Sequence, residues 1–199
     1  MFDNSRSSIE LPENTALIVI DVQKGLDEEY WGVRNNPQAE NNMADLLAAW
    51  RRRGWPVYYL QHQSKNPRSP LRPNYPGNDL KDIIKPLPGE PVLFKSENSA
   101  FIGTDLEKRL RAGNQSTVVL TGLTTDHCVS TTARMAANLG FDTVVVSDAT
   151  ATFDRHSPLT NRHFSGEEMH EAELTSLSGE FAVIAETRTI LSALRSDGS

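Results

Sequence analysis

Short runs of consecutive apolar residues, rich in β-branched side chains, recur along the chain and are separated by longer polar segments. The run Ala16-Leu17-Ile18-Val19-Ile20 is continuous rather than alternating, which is typical of a strand buried on both faces. Runs of this kind predict six strands, at residues 16–20, 56–60, 92–94, 118–120, 141–147 and 181–184.

The segments between these runs carry apolar residues at spacings of three and four, which is the period of an amphipathic helix. Residues 36–53 show it most clearly, with Met43, Leu46 and Trp50 on one face and Gly54 as the stop. Four more helices are predicted: 104–112 with Thr104 as its cap, one that begins at Thr125 or Asp126 and leads up to Gly140, 167–177 and 187–194.

Because strands and helices alternate throughout, we expect a three-layer α/β/α fold around a six-stranded, mostly parallel sheet. The chain of 199 residues is long enough for one such domain and too short for two of ordinary size. We therefore expect a single domain, 1–199, in which residues 1–14 form a polar lead.

Charge and hydropathy narrow the range of partners. The formal net charge of −6 argues against a nucleic-acid or anionic-membrane surface. No apolar run approaches the roughly 20 residues of a membrane span, and the N-terminal stretch has no signal-peptide core. The single cysteine excludes an intramolecular disulfide, in keeping with a reducing compartment. These features indicate a cytoplasmic protein that acts on small molecules, with no nucleic-acid or membrane partner.

The segment 63–91 holds seven prolines and is predicted to be irregular, apart from a short helical piece at 80–84. Loops of this length in a small domain often carry function. We expect the segment to be either a wall of the pocket or a contact between subunits, with a plain surface loop as the alternative.

Three chemically active side chains follow predicted strands: Asp21, Lys95 and Cys128. In open parallel sheets, ligands bind beyond the carboxyl ends of the strands, so these residues are expected to meet at one edge. There Asp21 can take the thiol proton, Lys95 can stabilise a thiolate, and Cys128 can attack a carbonyl to form a thioester. Backbone N–H groups of Thr124 and Cys128 can stabilise the oxyanion.

The position of Cys128 in the first turn of a predicted helix favours the thiolate form. Unpaired N–H groups and the positive end of the helix dipole meet at that end, where they lower the pKa of a thiol. The helix would bury Val129, Ala133, Ala136, Ala137 and Gly140 on one face, with Ser130, Thr131 and Arg134 largely elsewhere.

Structural roles and other functions are also possible for the same residues. A lone cysteine is often an apolar filler, and Asp21 could simply cap a turn. Cys128 and Arg134 also have the Cys-x5-Arg spacing of tyrosine phosphatases, but the five residues between them contain no glycine and suit a helix, with Arg134 facing solvent or an interface. The chain could also be a redox sensor that uses Cys128, or a ligand-binding pseudoenzyme on the same fold. A sensor needs the thiolate and nothing from Asp21, whereas a hydrolase needs both.

Three segments together resemble the isochorismatase-like cysteine hydrolase superfamily: ALIVIDVQKG, LFKSENSAF and TGLTTDHCVSTTARMAANLGF. The resemblance covers roughly residues 15–185 and implies a six-stranded parallel sheet between helices. It also implies a catalytic triad of Asp21, Lys95 and Cys128, and a cis peptide bond between Leu123 and Thr124 that turns the Thr124 N–H into the oxyanion hole. Members often form homodimers or homotetramers, so a homo-oligomer is expected.

Nicotinamidases in this superfamily bind a metal through Asp-x-His after the second strand, whereas this chain has Leu60-Gln61-His62. We therefore expect neither metal nor cofactor, and His62 is either a substrate contact or a structural histidine. Isochorismatases proper lack the cysteine, so Cys128 favours cleavage of a C–N bond in a small amide, ureide or lactam over ether hydrolysis. Candidate pocket residues are Gln23, Trp31, His62, Phe101 and Phe153.

Overall fold

Six parallel strands form the central sheet of the computed structural model, which describes residues 9–196. In chain order the strands are β1 (Ala16–Ile20), β2 (Val57–His62), β3 (Val92–Lys95), β4 (Thr117–Leu123), β5 (Asp142–Ala151) and β6 (Val183–Ala185). The helices are α1 (Ala39–Arg53), α2 (Leu106–Ala112), α3 (Ser130–Asn138), α4 (Gly166–Leu177) and α5 (Thr187–Ser196). The predicted three-layer fold is confirmed; the predicted lead at 1–14 falls mostly outside the described residues.

The strand order in the sheet is β3-β2-β1-β4-β5-β6, and every neighbouring pair is parallel. Strands β2 and β3 are therefore added in turn on one side of β1. The chain then returns to place β4 on the other side of β1, and β5 and β6 follow beyond it. A crevice forms where the direction reverses, between the carboxyl ends of β1 and β4. Asp21 directly follows β1, and the segment that carries Cys128 follows β4.

Strand β1 is buried on both faces, as its continuous apolar run predicts. Leu17 and Val19 lie in one hydrophobic core, and Ile18 and Ile20 lie in the other. The first core includes residues from α1 and α5, namely Met43, Leu46, Leu47, Trp50, Ile190 and Leu194. The second includes residues from α2 and α3, namely Leu106, Leu110, Ala133 and Ala136. Each fully buried aliphatic side chain contributes about 1.5–3 kcal/mol to folding, so the two cores fix the sheet that positions the strand ends.

Several element boundaries differ from the prediction. Helix α1 begins at Ala39 rather than at 36, because Asn36 adopts a left-handed backbone with a φ of 44°. Helix α2 begins at Leu106, and its N-cap is Asp105; the Thr104 hydroxyl still accepts a bond from the Leu106 N–H.

Strand β5 extends past residue 147, its predicted end. A register shift between Leu120 and Gly122 lets Gly122 and Leu123 pair with Thr150 and Ala151, so the end of β5 has partners in the sheet. Asp148, one residue past the predicted end, is part of this strand. Its Oδ1 accepts a hydrogen bond from the Thr187 N–H at 2.7 Å and thereby caps α5.

A short antiparallel hairpin, Arg155–His156 with His163–Phe164, was not predicted. Two-residue strands made largely of polar residues carry no hydrophobic pattern that would reveal them. Within residues 9–196, no helix has the length and apolarity that a bilayer crossing requires.

The proline-rich segment is irregular, as predicted, with two short 3₁₀ turns at Pro76–Asn78 and Asp82–Ile84. Asn78 ties it to the end of β2: its amide nitrogen donates to the His62 carbonyl and its amide oxygen accepts from Gln61 and Gln63. The segment therefore packs beside the strand ends where the candidate site lies.

Gly122 is a position where the fold admits no side chain, because β4 runs very close to β1 there. Its φ is +122°, and a Cβ would lie 2.1 Å from the Ile20 carbonyl oxygen.

We expect Gly122→Ala to lower the free energy of unfolding by at least about 3 kcal/mol, since backbone strain and a backbone clash add together. Gly54→Ala is the matched control, because Gly54 also has a positive φ but no atom within 4 Å of its Cβ position. It should cost only about 1 kcal/mol. Denaturant unfolding of both variants measures the difference; equal costs would contradict the close approach of the two strands.

Candidate active site

Asp21 is a buried carboxylate at the carboxyl end of β1. It is only 2% exposed, and its backbone is left-handed, with a φ of 52°. Its Oδ2 accepts a hydrogen bond from Lys95 Nζ at 2.6 Å, whereas its Oδ1 is buried and has no hydrogen-bond partner among residues 9–196. Burying a carboxylate oxygen without a hydrogen bond costs free energy of folding. Such an oxygen is free to accept a proton from a neighbouring group.

Lys95 reaches the same point from β3, two strands away. Parallel neighbours lie about 4.8 Å apart, so its side chain passes over β2 to bridge roughly 10 Å of sheet. Its Nζ donates to Asp21, to the Glu97 carbonyl at 3.0 Å and to Cys128 Sγ at 3.4 Å. Burial opposes its charge, but the Asp21 carboxylate and Cys128 outweigh that effect and hold the pKa of Lys95 above its ordinary value. The ammonium is therefore a permanent positive charge in the site.

Cys128 lies on a single π-helical turn, Thr125–Val129, that connects β4 to α3. The predicted N-cap at Thr125 or Asp126 is wrong: the cap position is Thr124, and no side chain caps the turn. The Thr124 carbonyl accepts bonds from the N–H groups of His127 and Val129, and the Leu123–Thr124 peptide bond is cis, the geometry that the resemblance implies. The wide turn directs the thiol toward Asp21 and Lys95.

The predicted bias of Cys128 toward thiolate is also wrong. Burial, and after it the negative charge of Asp21, raise the pKa of the thiol well above its ordinary value; Lys95 lowers it but does not offset them. A helix N-terminus acts on a thiol through partial charges, whereas Asp21 carries a full charge nearby. Cys128 therefore rests as a thiol.

The buried face of α3 agrees in part with the prediction. Val129, Ala133 and Ala136 are fully buried, while Gly140 is exposed because α3 ends at Asn138. Ser130, expected away from the core, is buried against α4.

The phosphatase interpretation is excluded by the same helix. A phosphate-binding loop cannot form where α3 begins only two residues after Cys128. Arg134, expected to face solvent or an interface, is half-buried within the chain: it donates to Glu173 at 2.9 Å and lies over the Phe181 ring.

Asp21, His62 and Cys128 have possible metal-ligand atoms that all lie within 4.8 Å of one another. A cation does not fit among them, because Lys95 Nζ already contacts all three, including His62 Nδ1 at 3.5 Å. Gln61, which stands where nicotinamidases have an aspartate, donates its amide to Asn78 at 2.9 Å. The donor set therefore holds an ammonium in place of a metal.

Gln23 does not line a pocket. It is fully buried. Its amide nitrogen donates to the backbone carbonyls of His62 and Asn78, and its amide oxygen accepts from the His62 N–H. It clamps the loop after β1 to the end of β2. His62 is half-buried beside Lys95, and burial lowers the pKa of its imidazole, so it is neutral at pH 7. Of these two residues, only His62 is close to the reacting groups.

The three aromatic candidates pack mainly against other aromatic rings. Phe153 is 2% exposed and stacks on the half-buried Trp31, whose Nε1 donates to the Gly25 carbonyl. Phe101 is buried and stacks on Phe141, in the hydrophobic core against which Cys128 packs. Phe153 is therefore a core residue, and Phe101 belongs to the core that lies on the same side of the sheet as Cys128.

Two residues near the nucleophile were not predicted. Asn98 is exposed, with its Oδ1 4.0 Å from Cys128 Sγ, where it would meet an incoming substrate. His170 on α4 is buried and contacts the Thr125 side chain. Asn98 could have been suspected from its place three residues after Lys95, whereas His170 lies far along the chain in an ordinary amphipathic segment.

The chain is similar to known proteins along most of its length. The family model for the isochorismatase domain matches residues 15–189. The isochorismatase family protein YrdC of Bacillus subtilis (strain 168), which is uncharacterized, is 45% identical over 181 residues, covering 91% of this chain and 96% of YrdC. A crystal structure of an isochorismatase-family protein from Chromobacterium violaceum has a TM-score of 0.91 and 40% identity, covering 96% of this chain and 99% of that one.

A further relative is named for its reaction. The ureidoacrylate amidohydrolase RutB of Cronobacter turicensis is 32% identical over 176 residues, covering 70% of this chain and 75% of RutB. The family model and these relatives cover most of the chain, and the solved structure has the same fold. The chain thus belongs to the isochorismatase family and is a hydrolase of the isochorismatase-like cysteine hydrolase superfamily.

Proposed function

We propose that the protein hydrolyses a C–N bond of a small amide, ureide or lactam through a thioester acyl-enzyme on Cys128. The observation that carries the proposal is the meeting of a half-buried thiol, an unpaired carboxylate oxygen and a fixed ammonium at one crevice. A relative named for amidohydrolysis, RutB, supports the same class of bond.

In the first half of the reaction, Asp21 Oδ1 takes the thiol proton as Cys128 Sγ bonds to the substrate carbonyl carbon. Negative charge moves to the carbonyl oxygen, where N–H groups at the start of the turn, those of Thr124 and Cys128, stabilise it. The C–N bond then breaks, and Asp21 returns the proton to the leaving nitrogen, which departs as ammonia or an amine. The product on the enzyme is a thioester.

In the second half, Asp21 takes a proton from a water molecule that attacks the thioester carbonyl. The C–S bond breaks, the acid is released, and the proton passes back to the sulfur. Lys95 keeps its charge throughout and steadies Asp21 and the developing thiolate. Over the whole cycle, the thiol proton leaves on the amine and a proton from water replaces it, so the reaction consumes only the substrate and one water molecule.

The raised pKa of the thiol argues against a redox sensor. Sensor cysteines react with oxidants as low-pKa thiolates, whereas Cys128 rests as a thiol. Ether hydrolysis of the isochorismatase type would leave the thiol and its proton acceptor without a role.

Purified protein should release ammonia or an amine from at least one member of a panel of nicotinamide, maleamate, ureidoacrylate, biuret, N-carbamoyl amino acids and a cyclic amide. Cys128→Ala should lose at least about 10³-fold in kcat/KM, because nucleophilic attack is then absent. Ammonia and amine assays on both proteins measure this. A variant that retains wild-type turnover would show that Cys128 is not the nucleophile.

Asp21→Asn should separate thiol ionisation from catalysis. Removing the carboxylate charge should lower the pKa of Cys128 by about one unit or more, while kcat falls at least about 100-fold because the proton acceptor is lost. The pH dependence of Cys128 alkylation by iodoacetamide measures the first effect, and steady-state kinetics measure the second.

Asp79→Asn, at an exposed carboxylate of the proline-rich segment, is the matched control and should change neither quantity. Circular dichroism establishes that each variant is folded. An unchanged or higher thiol pKa in Asp21→Asn would contradict the electrostatic account of the site.

A further inference from the structure

His170 is a buried histidine that the mechanism above does not use. It lies on α4 and is only 5% exposed, and its Nδ1 is 2.8 Å from the Thr125 hydroxyl, which is itself fully buried. Thr125 is the first residue of the turn that carries Cys128. A side chain from a helix far along the chain is thus bonded to the start of the nucleophile's turn.

The hydrogen-bond network fixes the direction of this contact. Both amide hydrogens of Asn36 are taken by the carbonyls of Ser147 and Thr150, at 3.0 and 2.8 Å, so Asn36 has none for His170 Nε2. His170 also interacts with the Ser147 carbonyl, which can only accept a hydrogen bond. We therefore assign the ring hydrogen to Nε2, an assignment in which Nδ1 accepts from the Thr125 hydroxyl. Burial lowers the pKa of His170, in keeping with a neutral ring.

The turn needs support of this kind. A π-helical turn is wide, and no side chain caps this one at Thr124. Its two anchoring side chains are consecutive: Asp126 is held by Thr152 and Arg155, and Thr125 is held by His170. The partners of Asp126 come from the residue after β5 and from the hairpin, and the partner of Thr125 comes from α4.

We propose that His170 is a positioning residue for the nucleophile, because its bond to Thr125 holds the turn that presents Cys128 to Asp21 and Lys95. The inference rests on the proposed role of Cys128 as nucleophile. His170 touches neither the reacting atoms nor the substrate, and it acts through Thr125. Its loss should let the turn relax and move the thiol away from its proton acceptor.

Four variants test the bond. Thr125→Val removes the hydroxyl at nearly constant volume, and Thr125→Ser keeps it. His170→Phe removes the acceptor nitrogen, and the ring has space because His170 borders a cavity of about 480 Å³. Glu171→Gln is the matched control, since Glu171 is an exposed neighbour on α4 that lines the same cavity.

We expect Thr125→Val and His170→Phe each to lower kcat about tenfold, the effect of one lost hydrogen bond, with KM changed less than about threefold. The double variant should be no worse than either single variant, because both remove the same bond. Thr125→Ser and Glu171→Gln should behave as the wild type. A loss of kcat in Thr125→Val that Thr125→Ser shares equally would overturn the proposal.

A second readout does not depend on amide hydrolysis. Asp21 from β1, Lys95 from β3 and His62 from β2 are the charged or titratable groups that face the thiol. If the turn relaxes, Cys128 leaves this setting, and its pKa should fall toward the ordinary value of about 8.5 in Thr125→Val and His170→Phe. Iodoacetamide alkylation followed against pH measures it, since the chain has one cysteine.

The two readouts distinguish the possible failures. A merely structural His170 would lower the melting temperature and leave both the thiol pKa and the kcat of the folded protein unchanged, which would overturn the positioning role. If the wild type hydrolyses no amide of the panel but the thiol pKa shifts as expected, the proposed function fails and the positioning of Cys128 by His170 stands.

Discussion

The ion pair between Lys95 and Asp21 is the interaction on which the site depends. Their side chains are 0% and 3% exposed, and Nζ lies 2.6 Å from Oδ2. Removing one member of such a buried pair typically costs about 3–5 kcal/mol, because the other charge is left uncompensated. The pair connects the ends of β3 and β1 across β2, so the strand order of the sheet, rather than proximity in sequence, brings the two charges together.

The state of the nucleophile follows from that pair. Burial and the neighbouring Asp21 carboxylate keep Cys128 protonated at rest, and in the proposed mechanism Asp21 Oδ1 removes that proton. The Lys95 ammonium stabilises a negative charge on either neighbour, Asp21 or Cys128, and so reduces the free-energy cost of burying that charge. In the proposed mechanism, Cys128 loses its proton only as it attacks the substrate. In the absence of substrate it is a thiol, which oxidants attack less readily than a thiolate.

Much of the sheet and the three central residues could be predicted from sequence, because apolar runs mark strands and parallel strands end at one edge. The reach of Lys95 over β2 could not be predicted, since it requires the strand order. The thiol pKa was misjudged because it depends on burial and on Asp21, which is 107 residues away along the chain (128 − 21). Gln23 was mistaken for pocket lining for a similar reason: its amide is used by His62 and Asn78, whose positions only the fold reveals.

The central claim is that Cys128 forms a thioester with the substrate's acyl group while Asp21 moves the proton. Acid-quenched intact mass spectrometry, during turnover of the amide that the protein hydrolyses fastest, tests this directly. The account predicts an added mass equal to the acyl group, located on the peptide that contains Cys128 and absent from Cys128→Ala. Rapid turnover without any adduct, together with hydrolysis that persists in Cys128→Ala, would contradict it.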